Sequence, residues 1–201
     1  MSQSPIDRGA SDSQDILWVR RVQTGDTSAF RNIVDKYKNI IYTLAYRLCA
    51  DTNDAEDLSQ DAFIQLFRKI DRFDLKRRFF PWMYTVAYNH IRKKNMKKRL
   101  STVPFDELTE VIDTDNPAER RAVEDAVLAV VNRLNDNHRR IFMMRFFEHL
   151  SYEEIAGALN VPMGTVEGWL FRAKNKFRTL AAECNILDAL RVYWGKDGEK
   201  K

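Results

Sequence analysis

Glycine and proline are scarce in this chain, seven and five among 201 residues. Long β-branched runs are missing as well, and sheet proteins with many turns use all three, so an all-α fold is expected. No apolar run approaches the roughly 20 residues that a bilayer span requires. The polar stretch from Met1 to Ser13 lacks the apolar centre of a secretory signal. Two cysteines, Cys49 and Cys184, are too few and too distant for a disulfide framework or a thiolate metal motif. Both flank apolar helical positions, so buried reduced thiols in a cytoplasmic protein are expected. His90, His138 and His149 lack ligand or acid–base spacing, and there is no glycine-rich phosphate loop. Nothing therefore calls for a metal, a cofactor or a catalytic centre, and the histidines read as solvated surface groups.

What is present is helical periodicity and an uneven distribution of charge. With 44% hydrophobic and 31% charged residues, the composition suits one large or two small globular domains. The formal charge of +4 conceals a pattern. Twelve basic residues lie between Arg68 and Arg99, including Arg77, Arg78, Arg92 and Lys93, against only Asp71 and Asp74. The flanks invert this, with five acids and no base from Asp51 to Gln65, and six acids and no base from Ser101 to Glu119. A basic run is often only solvated surface. This one is interleaved with Trp82, Tyr84 and Tyr88, which favours a nucleic-acid partner.

The sharpest local signal runs from Leu150 to Arg178. Ser151 and Glu154 have capping-box spacing, which predicts a helix from Tyr152. Ile155, Ala156 and Leu159 line its inner side, and Asn160 tolerates the left-handed backbone that ends a helix. Pro162 and Gly164 break and restart the chain. Val166, Leu170, Ala173 and Phe177 then recur at helical spacing and must face inward. Glu167, Gly168, Phe171, Arg172, Asn175 and Arg178 are left facing outward. A solvated helical hairpin is the bland alternative; the turn chemistry and the basic outer face favour a helix-turn-helix that enters a DNA major groove.

Along the chain, a first helical domain is expected over residues 14–99. Asp26-Thr27-Ser28 offers helix-start chemistry, followed by Phe30, Ile33, Val34, Tyr37, Ile40, Ile41, Leu44 and Leu48 on one face. A second helix begins near Asp54, with Ala55, Leu58, Ala62, Phe63, Leu66, Phe67 and Ile70 as its core face. Asp57, Gln60, Asp61 and Ile64 lie on its other side. A charged loop covers Asp71 to Phe80, and Pro81 starts a third helix. Residues 100–116 read as a flexible acidic linker, whose roughly 17 residues give a root-mean-square reach of roughly 20–25 Å. A second domain over 117–182 carries Val123, Val127, Val130, Val131 and Leu134 on one helix, Ile141 to Phe146 on another, and then the helix-turn-helix. Residues 183–201 form a tail. The expected architecture is thus two small helical domains on a flexible tether.

Three blocks give this pattern a family. Asp54-Ala-Glu-Asp-Leu-Ser-Gln-Asp-Ala-Phe63, Phe79-Phe-Pro-Trp-Met-Tyr-Thr-Val-Ala-Tyr-Asn89 and Leu150-Ser-Tyr-Glu-Glu-Ile-Ala with Gly164-Thr-Val and Arg172-Ala-Lys174 follow one another at matching spacing. Together they resemble a bacterial extracytoplasmic-function (ECF) sigma factor of the sigma-70 family, over about residues 29–180. The resemblance implies a subunit that binds core RNA polymerase and promoter DNA, monomeric when free and without membrane insertion. It makes the first domain sigma region 2, which reads and melts the −10 element, and the second region 4, which reads the −35 element. It places Asp57, Gln60 and Asp61 against the clamp helices of the polymerase's largest subunit. Trp82, Tyr84, Tyr88 and Asn89 match the melting and −10 segment, with Arg77, Arg78, Arg92 and Lys93 in the same basic stretch. Phe171 and Arg172 match groove positions, Thr165 sits near the helix start, where a phosphate contact is favourable, and Arg145 and Tyr152 match backbone-phosphate contacts. It also makes an anti-sigma factor a candidate partner. Many relatives carry a basic residue, a serine and a basic residue after Gly-Thr-Val. This chain has Glu167, Gly168 and Trp169, so its −35 sequence does not follow from theirs.

Two rival classes remain open at this point. A stand-alone helix-turn-helix regulator would need a dimerisation or ligand domain in the N-terminal half. A nuclease would need clustered carboxylates or histidines, and the Asp51–Asp61 acids alternate too regularly with a core face to form a metal cage.

Overall fold

The computed structural model describes residues 8–99, 117–184 and 186. Every α-helix, 3-10 turn and π turn among them is accounted for by a helical ladder, and no strand occurs among the described residues. The eight α-helices are α1 (Arg8–Gln23), α2 (Phe30–Cys49), α3 (Thr52–Lys69), α4 (Phe79–Arg99), α5 (Pro117–Arg133), α6 (Asp136–Phe142), α7 (Tyr152–Leu159) and α8 (Met163–Glu183). By packing, the chain divides into two units, residues 1–102 with 153–160 and residues 103–152 with 161–201. No described helix is long and apolar enough to cross a membrane. The expected linker at 100–116 and nearly all of the expected tail lie outside the described residues, as do the Lys97 and Lys98 side chains.

In the first unit α2, α3 and α4 pack on one another, with α1 laid against α2 and α4. The α2 stripe buries Ile33, Tyr37, Ile41, Leu44 and Leu48 at its centre, flanked by half-buried Phe30, Val34 and Ile40. Helix α1 is held by an unusual means. Asp15 is 0% exposed and accepts from Lys36 Nζ at 2.5 Å and from the Tyr37 hydroxyl. Burial pushes the Asp15 carboxyl up, and the Lys36 and Tyr37 hydrogen bonds work against that shift. An unpaired buried carboxylate would be costly, so this pairing is a condition for α1 docking.

Helix α3 starts at Thr52, two residues before the expected Asp54, because Asp51 supplies the cap. Its backbone is extended at φ −136°, and its carboxylate accepts from the Asp54 amide at 2.8 Å. Asp51→Ala should therefore destabilise the first unit by about 1 kcal/mol, read from urea denaturation followed by circular dichroism. An unchanged midpoint would show that the cap contributes nothing. Helix α2 ends on Ala50 in the left-handed region at φ 58°, and its Leu48 carbonyl receives the Asn95 side-chain amide from α4 at 2.5 Å. Helix α4 begins at Phe79 rather than Pro81. Proline fits its first turn, where the amide it lacks has no intrahelical partner anyway.

The second unit buries Val123, Val127, Val130 and Val131 of α5 and Leu134 just beyond it with Ile141 and Phe142 of α6 and Val166, Leu170, Ala173 and Phe177 of α8. Phe142 stacks on Phe177 with ring centres 4.7 Å apart and meets Phe146 at 4.4 Å. Arg139 closes the end of α5 by donating to the carbonyls of Asn132 and Leu134, at 2.5 and 2.9 Å. The expected helix through Phe146 is interrupted: α6 stops at Phe142 and the chain widens into a π turn over Met143–Phe147. The Glu148 amide consequently reaches back to the Met143 carbonyl at 3.1 Å. Neither thiol is fully buried as expected: Cys49 and Cys184 are both half-buried, and burial still raises the Cys49 thiol.

Candidate nucleic-acid interface

The first unit displays two surfaces. On α3, burial of Ala55, Ser59, Ala62 and Leu66 turns Asp57 and Gln60 outward, and both are exposed. Asp61 is only partly exposed, and its carboxylate accepts from Lys94 Nζ of α4. Two apolar side chains share the exposed side of this helix. Ile64 is 49% exposed and Phe67, expected in the core, is 40% exposed with its edge on Phe30 at 5.1 Å. Periodicity assigned Phe67 inward because it follows Phe63 and Leu66; only the packing of neighbouring helices could move it to the rim.

The second surface is the loop before α4 and the helix itself. Gln23 of α1 donates from Nε2 to the carbonyls of Ile70 and Phe73, at 2.8 and 3.0 Å, and pins the loop's first half. Phe73 is buried against Phe79 and Trp82, with ring centres 5.4 and 4.9 Å away. Between these anchors Asp74, Lys76, Arg77 and Arg78 remain exposed. Arg77 lies 3.7 Å from Asp74, and Arg78 pairs with Asp12 of α1. An open cavity of about 450 Å³ is lined by Asp12, Ile16, Leu17 and Lys76 to Arg78.

Along α4 the site residues separate by burial. Trp82 is half-buried, Asn89 and Lys93 are exposed, and Arg92 is half-buried. Tyr84 and Tyr88, expected to face a strand, are each 0% exposed. Their rings belong to the core because α4 is packed by α1, α2 and α3; as placed, neither offers a face for stacking. The aromatic surface left to α4 is the accessible part of Trp82 and of Phe80, both half-buried.

His90 also departs from expectation. It is half-buried rather than solvated, and its Nε2 atom has no hydrogen-bond partner. Burial lowers its pKa below the ordinary 6.5, opposed by the charge of Asp61 and reinforced by Lys94, Lys69 and Lys93. The unfolded chain thus binds the proton first, and the stability it contributes is present above about pH 6.5 and lost as pH falls toward the folded value. Parent protein should lose more stability than His90→Gln between pH 7.5 and 5.5 in denaturant titrations. Equal losses would remove His90 from the account.

In the second unit α8 presents the opposite arrangement of faces. Val166, Leu170, Ala173, Phe177, Leu180 and Ala181 are buried. Glu167, Phe171, Arg172, Asn175 and Arg178 are exposed, with Phe171 at 67%, and Gly168 is half-exposed. Thr165 sits half-buried in the first turn, its amide bonded to the Pro162 carbonyl at 3.0 Å. Ahead of α8, Asn160 adopts the expected left-handed conformation at φ 55°. Arg145 lies on the π turn, donates from Nη1 to the Leu150 carbonyl at 3.0 Å, and covers the Tyr152 ring at 5.2 Å. His138 is half-buried, and burial followed by the Arg172 charge lowers its pKa.

The chain matches the Sigma-70 region 2 model over residues 33–99 and the Sigma-70, region 4 model over residues 124–177. It is 33% identical over 173 residues to the ECF RNA polymerase sigma factor SigW of Bacillus subtilis, covering 80% of this chain and 92% of that protein. It is 32% identical over 174 residues to the RNA polymerase sigma-H factor of Pseudomonas aeruginosa, covering 80% and 90%. Among solved structures it is similar to CnrH in complex with the cytosolic domain of CnrY, with a TM-score of 0.62 at 20% identity over 85% of this chain and 98% of that one. RpoE of Bartonella quintana, solved with the anti-sigma factor NepR, superposes with a TM-score of 0.52 at 20% identity, covering 76% and 96%. Two sigma regions in order and relatives of this similarity along most of their length place the chain in the sigma-70 family, among the ECF RNA polymerase sigma factors.

Proposed function

We propose a division of labour within this promoter-directing sigma factor, in which α3 holds the polymerase, α4 and the loop before it hold the melted −10 strand, and α8 reads the −35 element. The observation that carries it is the sorting of faces: α3 and α8 bury their apolar stripes and leave Asp57 and Gln60 on one, Phe171 and Arg172 on the other, in solvent. Exposed carboxylates suit basic groups on a partner helix, here the clamp helices of the polymerase's largest subunit. Ile64, exposed beside them, adds apolar area to that contact. Sigma factors supply binding energy rather than a chemical step. For melting, the accessible part of Trp82 stacks an unpaired base at about 1–3 kcal/mol, while Arg77, Arg92 and Lys93 hold phosphates. Asn89 offers an amide at the same strand. Arg145 and Tyr152 position the −35 backbone, and Thr165 adds a phosphate contact at the start of α8. The protein works in the cytoplasm, and a regulator of the anti-sigma kind is a candidate partner.

The test is transcription in vitro from genomic DNA with purified core polymerase, followed by permanganate footprinting. Defined start sites with reactive thymines upstream are expected only when both proteins are present. Start sites unchanged by Trp82→Ala together with Lys93→Ala would refute the role given to α4. A stand-alone regulator is disfavoured because region 2 occupies the half of the chain where its dimerisation or ligand domain would lie.

A further inference from the structure

Gly168 is a glycine that the fold does not require. It is the sixth residue of α8, well inside a helix, where glycine is the poorest of the ordinary residues. Its φ is not in the left-handed region, which among the described glycines only Gly25 occupies. Nor does packing demand it. A methyl group placed on Gly168 would meet only the Arg172 guanidinium, with Nη2 at 3.7 Å, Nη1 at 3.8 Å and Cζ at 4.0 Å, all ordinary contact distances. In the protein alone, the bare backbone at Gly168 is thus covered by the guanidinium of a flexible side chain one turn further on.

We infer that the Gly168 recess is a base-reading element: on the promoter Arg172 swings out of it, and the methyl group of a −35 thymine takes its place beside Phe171. Residues three and four apart on a helix are neighbours, so Phe171 and Arg172 flank position 168. Phe171 is the most exposed of the large apolar side chains described, and an aromatic edge beside bare backbone makes an apolar niche. Thymine alone among the bases presents a methyl group in the major groove, and bare backbone lets the helix approach it closely. The departing guanidinium is then free for the acceptor pair of a neighbouring guanine. The inference rests on reading α8 as the −35 helix.

The experiment uses holoenzyme reconstituted from core polymerase and the full chain, with a promoter whose −35 region is randomised. Gly168→Ala should raise the melting temperature of the free protein by about 2–5 °C, since alanine is the better helix former and meets no obstacle. The same variant should lose the preference for thymine at one −35 position. At that position, uracil in place of thymine should weaken parental binding about fourfold, the value of one methyl group, and leave the variant unaffected. Gly157→Ala, another helix glycine whose added methyl meets nothing, should give a thermal gain with unchanged sequence selection. Unaltered selection by Gly168→Ala, or a lowered melting temperature, overturns the inference. A parent that selects no −35 sequence overturns the −35 reading of α8 as well, so the two failures are distinguishable.

Discussion

Phe79→Ala should unfold the first unit at a temperature roughly 15–30 °C below the parent's and abolish promoter opening. Phe79 is 0% exposed and lies 5.4 Å from Phe73, 5.9 Å from Trp82 and 6.1 Å from Tyr37, ring centre to ring centre. Truncating a buried phenylalanine costs about 3–5 kcal/mol, and in a domain of this size each kcal/mol moves the midpoint by about 4–8 °C. The functional loss follows from position. Phe79 is the first residue of α4, and its ring supports Phe73 and Trp82 beneath the basic loop. Without it, the half-exposed tryptophan loses its support and the loop one of its two anchors. Phe79→Leu fills most of the space and should recover most of the stability, with promoter opening partly restored, by permanganate reactivity. A Phe79→Ala protein melting within about 1 kcal/mol of the parent would mean that the aromatic cluster does not organise this region.

The second large effect is expected at Asp57, with the opposite signature. Asp57→Arg should leave the fold within about 0.5 kcal/mol of the parent, because the side chain is exposed and lies opposite the buried face of α3. Association with core polymerase, followed by fluorescence anisotropy of labelled protein, should weaken about 100-fold. Facing a basic partner with a new positive charge costs several kcal/mol, and about 2.7 kcal/mol corresponds to that factor. Asp57→Asn removes attraction without adding repulsion and should cost less. Unchanged affinity for the reversed charge would place the polymerase contact elsewhere. Asp61 is a poorer probe, since substituting it also releases Lys94.

How much of this was legible in the residues depended on whether the deciding forces were local. The start of α7 at Tyr152, the left-handed Asn160 and the buried set Val166, Leu170, Ala173 and Phe177 all follow from capping chemistry and a 3.6-residue period. Helix α1 was missed as a packed element because, of its buried positions Asp15, Val19 and Val22, the first is a charge that hydrophobic periodicity assigns to solvent. Tyr84 and Tyr88 were expected on the strand-facing side. An amphipathic ring suits either environment, and the choice was made by three neighbouring helices rather than by α4 itself. The π turn at Met143–Phe147 is likewise invisible to a helical period, because the residues on either side remain apolar and helical. Among the candidate sites, the faces of α3 and α8 were the readable part. The engagement of Asp61 by Lys94 was not, since the partners are distant in sequence.

Helix α4 carries Trp82 near one end and Lys93 toward the other on a single uninterrupted rod. At 1.5 Å per residue their backbones are held roughly 17 Å apart, and Asn95 and Lys94 clamp the far end to α2 and α3. In the role proposed for α4, this rod is a fixed ruler for the separated strand. One residue inserted between the two ends would rotate them by about 100° relative to each other, leaving every contact group present and the gauge useless.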